Sequence, residues 1–308
     1  MRLSALFTYP IKGCYRRDHS AARVELWGLA GDRRWMVVGP DGRFLTQREE
    51  PRLTLVRPSP TVGAGLVLST PGQADLEVPG PAGGDLLRVR VWRSEVDAAP
   101  GGAAADVWLS AVLRRPVRLV HLDDPTRRAV DPEYAHPDDR VSFADGYPLL
   151  LANAASLAAL NDALLESGSV EAPLPMTRFR PNVVVRGAPA WAEDGWLGRR
   201  IRIGAVTFRA VKACDRCVVT TTDQETGERG REPLRVLAQY RRFDDGLLFG
   251  TNLIPDGTGE IALGDPVSIV DGWSGVAADT LPSQAYVRGG WPGREETRRE
   301  ETHREARP

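Results

Sequence analysis

The residues best suited to chemistry stand in one short stretch, Cys214-Asp215-Arg216-Cys217. Lys212 precedes the two cysteines and Arg216 stands between them. A thiolate is a soft metal ligand, and nearby positive charge favours the thiolate over the thiol. The β-branched run 218–222 favours a strand, so we expect the cysteines on a loop or strand edge and not at a helix start. The stretch is therefore a candidate site for a soft metal or for redox chemistry.

The spacing of these cysteines leaves several chemistries open. A zinc site normally needs four ligands. The other Cys and His residues offer no second pair at ligand spacing: Cys14, His19, His121, His136 and His303. A thioredoxin-like motif would require the first cysteine at a helix N-terminus. The pair could also be two small buried residues in a barrel wall.

Basic residues also stand at the ends of predicted strands in three other stretches, 9–14, 31–35 and 179–182. Loops at strand ends commonly present functional groups. Arginine binds phosphate through two parallel hydrogen bonds, and lysine acts as a point charge. Converging bases of this kind predict a phosphate-binding role, although each base alone is more typical of a solvated surface.

Composition excludes several classes of protein. Hydrophobic residues make up 42% and charged residues 26% of the 308, which is typical of a soluble globular protein. The formal net charge of -1 gives no reason to expect nucleic acid or an acidic membrane as a partner. No apolar run approaches the roughly 20 residues that span a bilayer, and we expect no signal peptide. Three cysteines, an odd number, fit a reducing cytoplasm better than a disulfide framework.

The elements that must position these residues are mostly strands. Short β runs separated by turn residues predict a barrel or sandwich up to about residue 120, including a strand at 53–56 and a hairpin around Asp41-Gly42. The second half predicts further strands at 182–186, 200–203, 206–211, 247–253 and 266–270. Helices are expected at 103–113, at 234–240 and from a cap at Asn153 to about residue 166. The fold class is mainly β with a few helices, an α+β arrangement.

Seven stretches, taken together and in this order, resemble a known family. They are residues 9–12, 32–35, 46–53, 143–148, 179–182, 214–217 with 220–223, and 264–267. The chain is similar over about residues 1–270 to MOSC-domain proteins with an N-terminal MOSC β-barrel region, as in the mitochondrial amidoxime-reducing component and its bacterial relatives. We accordingly expect an N-terminal β-barrel-like region at 1–120, a MOSC β-barrel domain at 121–272 and a mobile charged tail at 273–308.

The resemblance implies a molybdenum cofactor, a pterin dithiolene that carries a phosphate and holds one molybdenum. Motif positions assign the metal ligand to Cys217 and a catalytic position beside it to Arg216. Further positions imply a set of cofactor-binding residues: Lys12, Gly13, Arg33, Ser156, Arg180, Asn182 and Asn252. Gly13 stands where the mitochondrial relatives often have serine, so a backbone N–H would replace one side-chain hydrogen bond there.

The leading hypothesis is a molybdenum-dependent reductase of N-hydroxylated or other N–O compounds. No cysteine follows Cys217, and an iron–sulfur cluster needs four ligands, so a separate reductase or ferredoxin-type protein would supply electrons. A sulfur-carrier or cofactor-delivery protein that uses the same cysteine is an alternative. A non-catalytic binding module is a third.

Overall fold

The computed structural model describes residues 1–81, 83–244 and 246–272. The predicted tail at 273–308 lies outside the described residues. The strands within these ranges are β1 (Arg2–Thr8), β2 (Arg17–His19), β3 (Ala21–Glu25), β4 (Gly28–Leu29), β5 (Trp35–Val38), β6 (Arg57–Pro60), β7 (Leu66–Thr70), β8 (Gln73–Val78), β9 (Leu87–Val91), β10 (Ser94–Pro100), β11 (Arg118–His121), β12 (Leu149–Asn153), β13 (Val183–Arg186), β14 (Arg199–Ile203), β15 (Val206–Asp215), β16 (Arg242–Phe243), β17 (Gly246–Pro255), β18 (Gly259–Ala262) and β19 (Val267–Gly272). The α-helices are α1 (Ala103–Leu113), α2 (Ala154–Glu166) and α3 (Leu234–Tyr240). The 3₁₀ helices are Pro51–Leu55, Val62–Ala64, Pro125–Arg127, Pro132–Tyr134, Met176–Phe179, Ala192–Trp196 and Val218–Thr221.

A nine-stranded sheet forms the centre of the fold. Its order is β19-β14-β15-β17-β12-β13-β1-β2, with β16 paired to β17. The longest pairing joins β15 to β17, two antiparallel strands of ten residues each. β12 and β13 run parallel. A parallel pair needs a long crossover, and α2 lies within that connection.

Smaller sheets built mainly from the first half of the chain pack beside the large one. Their orders are β5-β11-β10-β9, β6-β7-β8 and β18-β3-β4. Trp108 and Leu109 of α1 join a buried cluster with Leu66 and Leu68 of β7. β1 and β2 nevertheless belong to the nine-stranded sheet, and β18 pairs with β3, so both ends of the described chain meet. The division at 120/121 falls within β11 and stays a prediction.

The mainly β class with a few helices is confirmed, and the three helices have the bounds that the sequence predicts. The Asn153 side chain caps α2, because its Oδ1 accepts a hydrogen bond from Ala155 N at 3.1 Å. The hairpin around Asp41-Gly42 is a tight turn in which Gly42 takes a φ of 74°. One isolated bridge, between Val38 and Phe44, pairs its two arms.

Two predicted strands are wrong, and side-chain hydrogen bonds explain both. The stretch 53–56 falls mainly in the 3₁₀ helix Pro51–Leu55, where the Glu50 carboxylate accepts from Arg52 N. The run after Cys217 forms the 3₁₀ helix Val218–Thr221. There the hydroxyl of Thr220 donates to Cys217 O, and the hydroxyl of Thr221 donates to Val218 O, each at 2.9 Å. Threonine hydroxyls can support turns in this way, which outweighs the preference of β-branched residues for strands.

Candidate active site

A cavity of about 320 Å³ collects nearly all the residues that the sequence singled out. Its walls come from the turn after β1, the segment before β5, the turn between β9 and β10, the segment before β13, the end of β15 and the interior of β17. Eight of the expected site residues line it: Lys12, Gly13, Arg33, Arg180, Asn182, Arg216, Cys217 and Asn252. These eight residues come from five separate stretches of the sequence, which converge on one place.

Cys217 stands at the point where β15 has ended and the 3₁₀ helix begins. Its backbone is extended, with φ -121° and ψ -177°. Its carbonyl accepts from both the N–H and the hydroxyl of Thr220, at 3.0 and 2.9 Å, which fixes the turn. The thiol is half-buried. Within the described part of the chain, Sγ of Cys217 has no hydrogen-bond partner, so the thiol is available to a ligand in the cavity.

Cys214 lies within β15, beside an irregularity in its pairing with β17 between Ala213 and Asp215. Such irregularities redirect side chains, and Cys214 lines the same cavity as Cys217. Burial raises the pKa of the Cys214 thiol, while the neighbouring Arg216 opposes that shift. Nη1 of Arg216 donates to Cys214 Sγ at 2.8 Å. The two cysteines thus differ, because one thiol is paired and the other is open.

Arg216 is held rigidly between the two cysteines. Its N–H donates to Leu247 O at 2.8 Å, and Nη2 donates to Phe179 O at 2.6 Å. Its Nε atom is buried and has no hydrogen-bond partner among the described residues. A buried donor without a partner costs about 1–3 kcal/mol, so an acceptor at this position would remove a penalty.

Lys12 forms the second polar wall of the cavity. Nζ donates to Asp145 Oδ1 at 2.5 Å. Burial lowers the pKa of Lys12 to about 8, although Asp145 opposes the shift. The Asp145 side chain faces the cavity with 75% of its surface exposed. Surrounding protein opposes its ionisation, but the Lys12 ammonium and the Trp92 indole hold the pKa of Asp145 well below its usual range.

Arg33 and Arg180 lie against the ring of Tyr9, with guanidinium carbons 4.4 and 4.1 Å from its centroid. Both have left-handed backbones, with φ values of 47° and 53°. Nη1 of Arg33 donates to Asp32 Oδ2 at 2.5 Å, and Nη1 of Arg180 donates to Gln224 Oε1 at 2.8 Å. Burial lowers the pKa of Arg180 to about 10, so the group stays charged at neutral pH.

The remaining expected residues take different roles. Asn182 accepts from Arg33 Nη1 at 3.0 Å and donates to Phe7 O at 3.2 Å, so it orients Arg33 and ties β1 to the site. Asn252 lines the cavity from β17, and its side-chain amide has no hydrogen-bond partner within the described ranges. Gly13 has a φ of 82°, which a serine would adopt with strain. Its carbonyl accepts from Gln47 Nε2 at 2.6 Å.

Ser156 is the one expected site residue that the structure places elsewhere. It is fully buried near the start of α2. Its hydroxyl donates to Glu193 Oε2 at 2.9 Å and accepts from Trp191 N at 2.8 Å. Both capacities are used inside the protein, so the placement gives Ser156 a structural role away from the cavity.

Sequence reasoning assigned no role to several residues of the cavity wall. The sequence could have identified Asp145, because this residue lies in the matched stretch 143–148. Trp92 and Phe44 come from separate turns, and Arg48 follows in the stretch 46–53, where no residue carried a stated function. Only the three-dimensional fold brings these side chains to the cavity.

The cavity is strongly basic. Two carboxylates, Asp145 and Asp215, line it. Six basic side chains also line it: Lys12, Arg33, Arg48, Arg180, Lys212 and Arg216. This imbalance favours an anionic ligand. Across the described ranges, no three His, Cys, Asp or Glu side chains are grouped so as to hold a metal ion.

Comparison with known domains defines the class. Residues 1–116 match the MOSC N-terminal beta barrel domain, and residues 138–268 match the MOSC domain. The chain is a MOSC-domain protein with this N-terminal domain, and the resemblance that the motifs indicated is confirmed.

Comparison with individual relatives identifies a more specific family within the MOSC-domain proteins. The chain is 34% identical to the human mitochondrial amidoxime-reducing component 1 over 287 residues, 87% of this chain and 82% of that protein. It is 32% identical to the Xenopus laevis component 1 over 86% of this chain and 81% of the relative. The human component 2 is 31% identical over 86% of this chain and 82% of its own length. The chain therefore belongs to the amidoxime-reducing component family.

The same comparisons correct the expected location. The relatives are named as mitochondrial proteins, which contradicts a cytoplasmic assignment. As for the membrane, no helix of the described ranges has the length and apolar character to cross one. Among solved structures, the YUAD protein of Bacillus subtilis aligns over 89% of this chain and 96% of its own, with a TM-score of 0.38 and 11% identity. That similarity is too low to support a conclusion.

Proposed function

We propose that this protein is a molybdenum-cofactor-dependent reductase of N-hydroxylated and related N–O compounds, with Cys217 as the protein ligand of the metal. The names of its relatives describe reduction of amidoximes. The observation that carries the proposal is the convergence of an open thiol and several buried bases on one cavity.

The residues present fit such a cofactor. Its phosphate is anionic and would meet Lys12, Arg33 and Arg180, each of which approaches from a different segment. Each charge-assisted hydrogen bond of this kind contributes about 1.5–3 kcal/mol. The amide of Asn252, which lines the cavity, offers a further polar contact to the pterin. Cys217, whose thiol lies at the cavity, would hold the metal that the cofactor carries.

The chemistry divides between the cofactor and the chain. The bound molybdenum would supply two electrons, which side chains cannot supply alone. The overall reaction consumes two electrons and two protons, breaks the N–O bond and releases water. The chain's own part is to fix the thiol of Cys217 through the Thr220 turn, to hold the anionic cofactor and to shape the substrate cavity. The electrons would arrive from a separate donor protein.

The test compares two matched variants, Cys217→Ser and Cys214→Ser, purified from a host that makes the cofactor. Molybdenum and released pterin per chain are measured, together with reduction of benzamidoxime by a reduced viologen dye. We expect near-stoichiometric molybdenum and turnover in the wild type. Cys217→Ser should lose at least 100-fold in turnover and retain less metal, on the scale of losing an essential catalytic group.

Cys214→Ser should retain metal, because the Cys214 thiol is already paired with Arg216. Wild-type protein without molybdenum and with persulfide on Cys217 would overturn the proposal in favour of sulfur transfer. Normal turnover by Cys217→Ser would overturn the assignment of the ligand.

A further inference from the structure

Trp92 occupies an unusual place at the rim of the cavity. It is the first residue of the two-residue turn that joins β9 to β10, where Val91 pairs with Ser94. Its φ is 52°, in the left-handed region. Glycine, asparagine and aspartate are the residues that usually accept positive φ at the first position of such turns. A tryptophan there is strained, and strained residues cluster at functional sites.

Three contacts hold the indole in position. Nε1 donates to Asp145 Oδ1 at 2.9 Å. The ring of Phe44 meets the indole edge to face, with centroids 4.8 Å apart and planes at 61°. The guanidinium carbon of Arg48 lies 5.0 Å from the indole centroid. Even so, 41% of the Trp92 surface is exposed, so the ring is fixed without being buried.

The indole also stands between two spaces. It lines the cavity that contains Cys217, and it lines a larger adjoining groove of about 1200 Å³. Phe44 and Arg48 line both spaces as well. A molecule that passes from the groove towards Cys217 therefore meets this group, which we call the aromatic rim (Phe44, Arg48 and Trp92).

We propose that the aromatic rim is a substrate subsite that binds the planar aromatic part of an N-hydroxylated compound while the N–O group reaches into the cavity. The inference rests on the proposed function and adds the kind of substrate. An exposed, preorganised indole offers a flat apolar surface, which suits an aryl ring or a conjugated amidoxime.

The charge at the rim should also select among aryl substrates by the charge of their distal substituent. In the described residues, the Arg48 side chain has no carboxylate partner and packs against the Trp92 ring. Arg43 and Arg93, also exposed residues of the groove, have no ion pair in the described part of the chain either. Glu49 and Asp131 also line the groove without an ion pair among the described residues, but the three guanidinium groups outnumber them and favour an anionic over a cationic substituent. The subsite should therefore prefer aryl substrates with a distal carboxylate over those with a distal ammonium.

The experiment measures kcat and KM for four compounds: acetamidoxime, benzamidoxime, 4-carboxybenzamidoxime and 4-(trimethylammonio)benzamidoxime. Trp92→Ala should raise KM for benzamidoxime by about 2- to 10-fold, the range of one aromatic pair interaction. It should leave KM for acetamidoxime within about twofold of the wild type. Trp92→Phe should restore most of the benzamidoxime affinity, since the ring and not the indole N–H forms the surface. Trp27→Ala, at a tryptophan outside the cavity, is the matched control and should change neither.

Arg48→Gln tests the charge selection. It should reduce the preference for the carboxylated over the trimethylammonio compound by about 2- to 5-fold, the size of an exposed charge interaction. Equal losses by Trp92→Ala on aliphatic and aryl substrates would overturn the aromatic subsite. An unchanged charge preference in Arg48→Gln would overturn the charge selection.

Equilibrium binding separates this inference from the proposed function. Calorimetric titration of benzamidoxime into the oxidised holoprotein without reductant measures affinity when no turnover can occur. Weaker binding to Trp92→Ala than to Trp27→Ala supports the subsite. Equal affinity for the two variants overturns it. A protein that binds benzamidoxime through Trp92 but never reduces it would retain the subsite and refute the reductase.

Discussion

Replacing Lys12 by methionine should stabilise the cofactor-free protein while weakening cofactor retention. The Lys12 side chain is 10% exposed, and its pKa falls from 10.5 to about 8, mainly through burial. Each unit of pKa corresponds to about 1.4 kcal/mol, so keeping Lys12 charged in the folded protein costs about 3 kcal/mol at neutral pH. Methionine has a similar length and no charge. Its introduction leaves Asp145 without an ammonium partner, but that side chain is largely exposed and still accepts from Trp92.

The effect has a defined dependence on pH. Below about pH 8, Lys12 is protonated in both the folded and the unfolded chain, and the folded protein bears the whole cost. Between pH 8 and 10.5, the folded chain has lost the proton that the unfolded chain retains, so the wild type gains stability as pH rises. Above 10.5, the group is neutral in both states and the cost is gone. The advantage of Lys12→Met should therefore be about 3 kcal/mol at pH 6.5 and about 1 kcal/mol at pH 9.5.

Urea unfolding of cofactor-free protein at the two pH values measures this difference. The sequence contains one other lysine, Lys212, which supplies a matched control. Lys212 is partly exposed and bridges Glu133 at 3.2 Å, so Lys212→Met should change the free energy of unfolding by no more than about 1 kcal/mol. In cofactor-replete protein, Lys12→Met should lower molybdenum per chain. A destabilised Lys12→Met at pH 6.5, or a stability difference that does not change with pH, would refute the assignment of a desolvated charge.

Three further predictions concern single residues. Ser156→Ala should destabilise the fold by about 1–3 kcal/mol in urea unfolding, because it leaves Trp191 N–H without an acceptor, yet it should leave molybdenum content unchanged; a loss of metal at full stability would return Ser156 to the site. Asp194→Asn should cost about 3–5 kcal/mol in the same assay, because Arg241 would remain buried without its carboxylate partner at 2.7 Å; a neutral change would contradict that role. Trp92→Gly should be more stable than Trp92→Ala by about 1 kcal/mol in thermal unfolding, since glycine accepts the positive φ without strain; the reverse order would contradict backbone strain.

The sequence predicts a helix or strand best where the hydrophobic periodicity and the residues at the ends of the element indicate the same structure. For α2, the apolar spacing and the cap at Asn153 point to the same helix, and the structure has it. The strand predicted after Cys217 was wrong, because β-branched residues form a strand only when a neighbouring strand is available to pair with them. Thr220 and Thr221 instead donate hydrogen bonds to carbonyls three residues earlier, and the chain turns. Such local competition does not show in a propensity pattern.

The candidate site was predictable to a different extent. The bases and Cys217 came from motif positions and do line one cavity. Ser156 also came from a motif position but does not line the cavity. Nothing in the local sequence reveals that its hydroxyl donates a hydrogen bond to Glu193. Trp92 was missed for the opposite reason. Its role depends on a positive φ in a two-residue turn and on contacts to Phe44 and Arg48, which are more than 40 residues away in the sequence. These features exist only in the folded chain.

The distribution of strain indicates why the cavity is built this way. Six described residues other than glycine have positive φ, and three of them, Arg33, Trp92 and Arg180, line the cavity. Each such backbone costs of order 1–3 kcal/mol, in proteins whose total stability is about 5–15 kcal/mol. Backbone contacts maintain two of these conformations, since Arg33 N donates to Tyr9 O at 2.8 Å and Arg180 N donates to Thr177 O at 3.2 Å. A barrel with only a structural role would gain stability from glycine at these positions. Side chains kept there at a cost, beside a desolvated Lys12, fit the anionic cofactor and the planar substrate that we propose for this cavity.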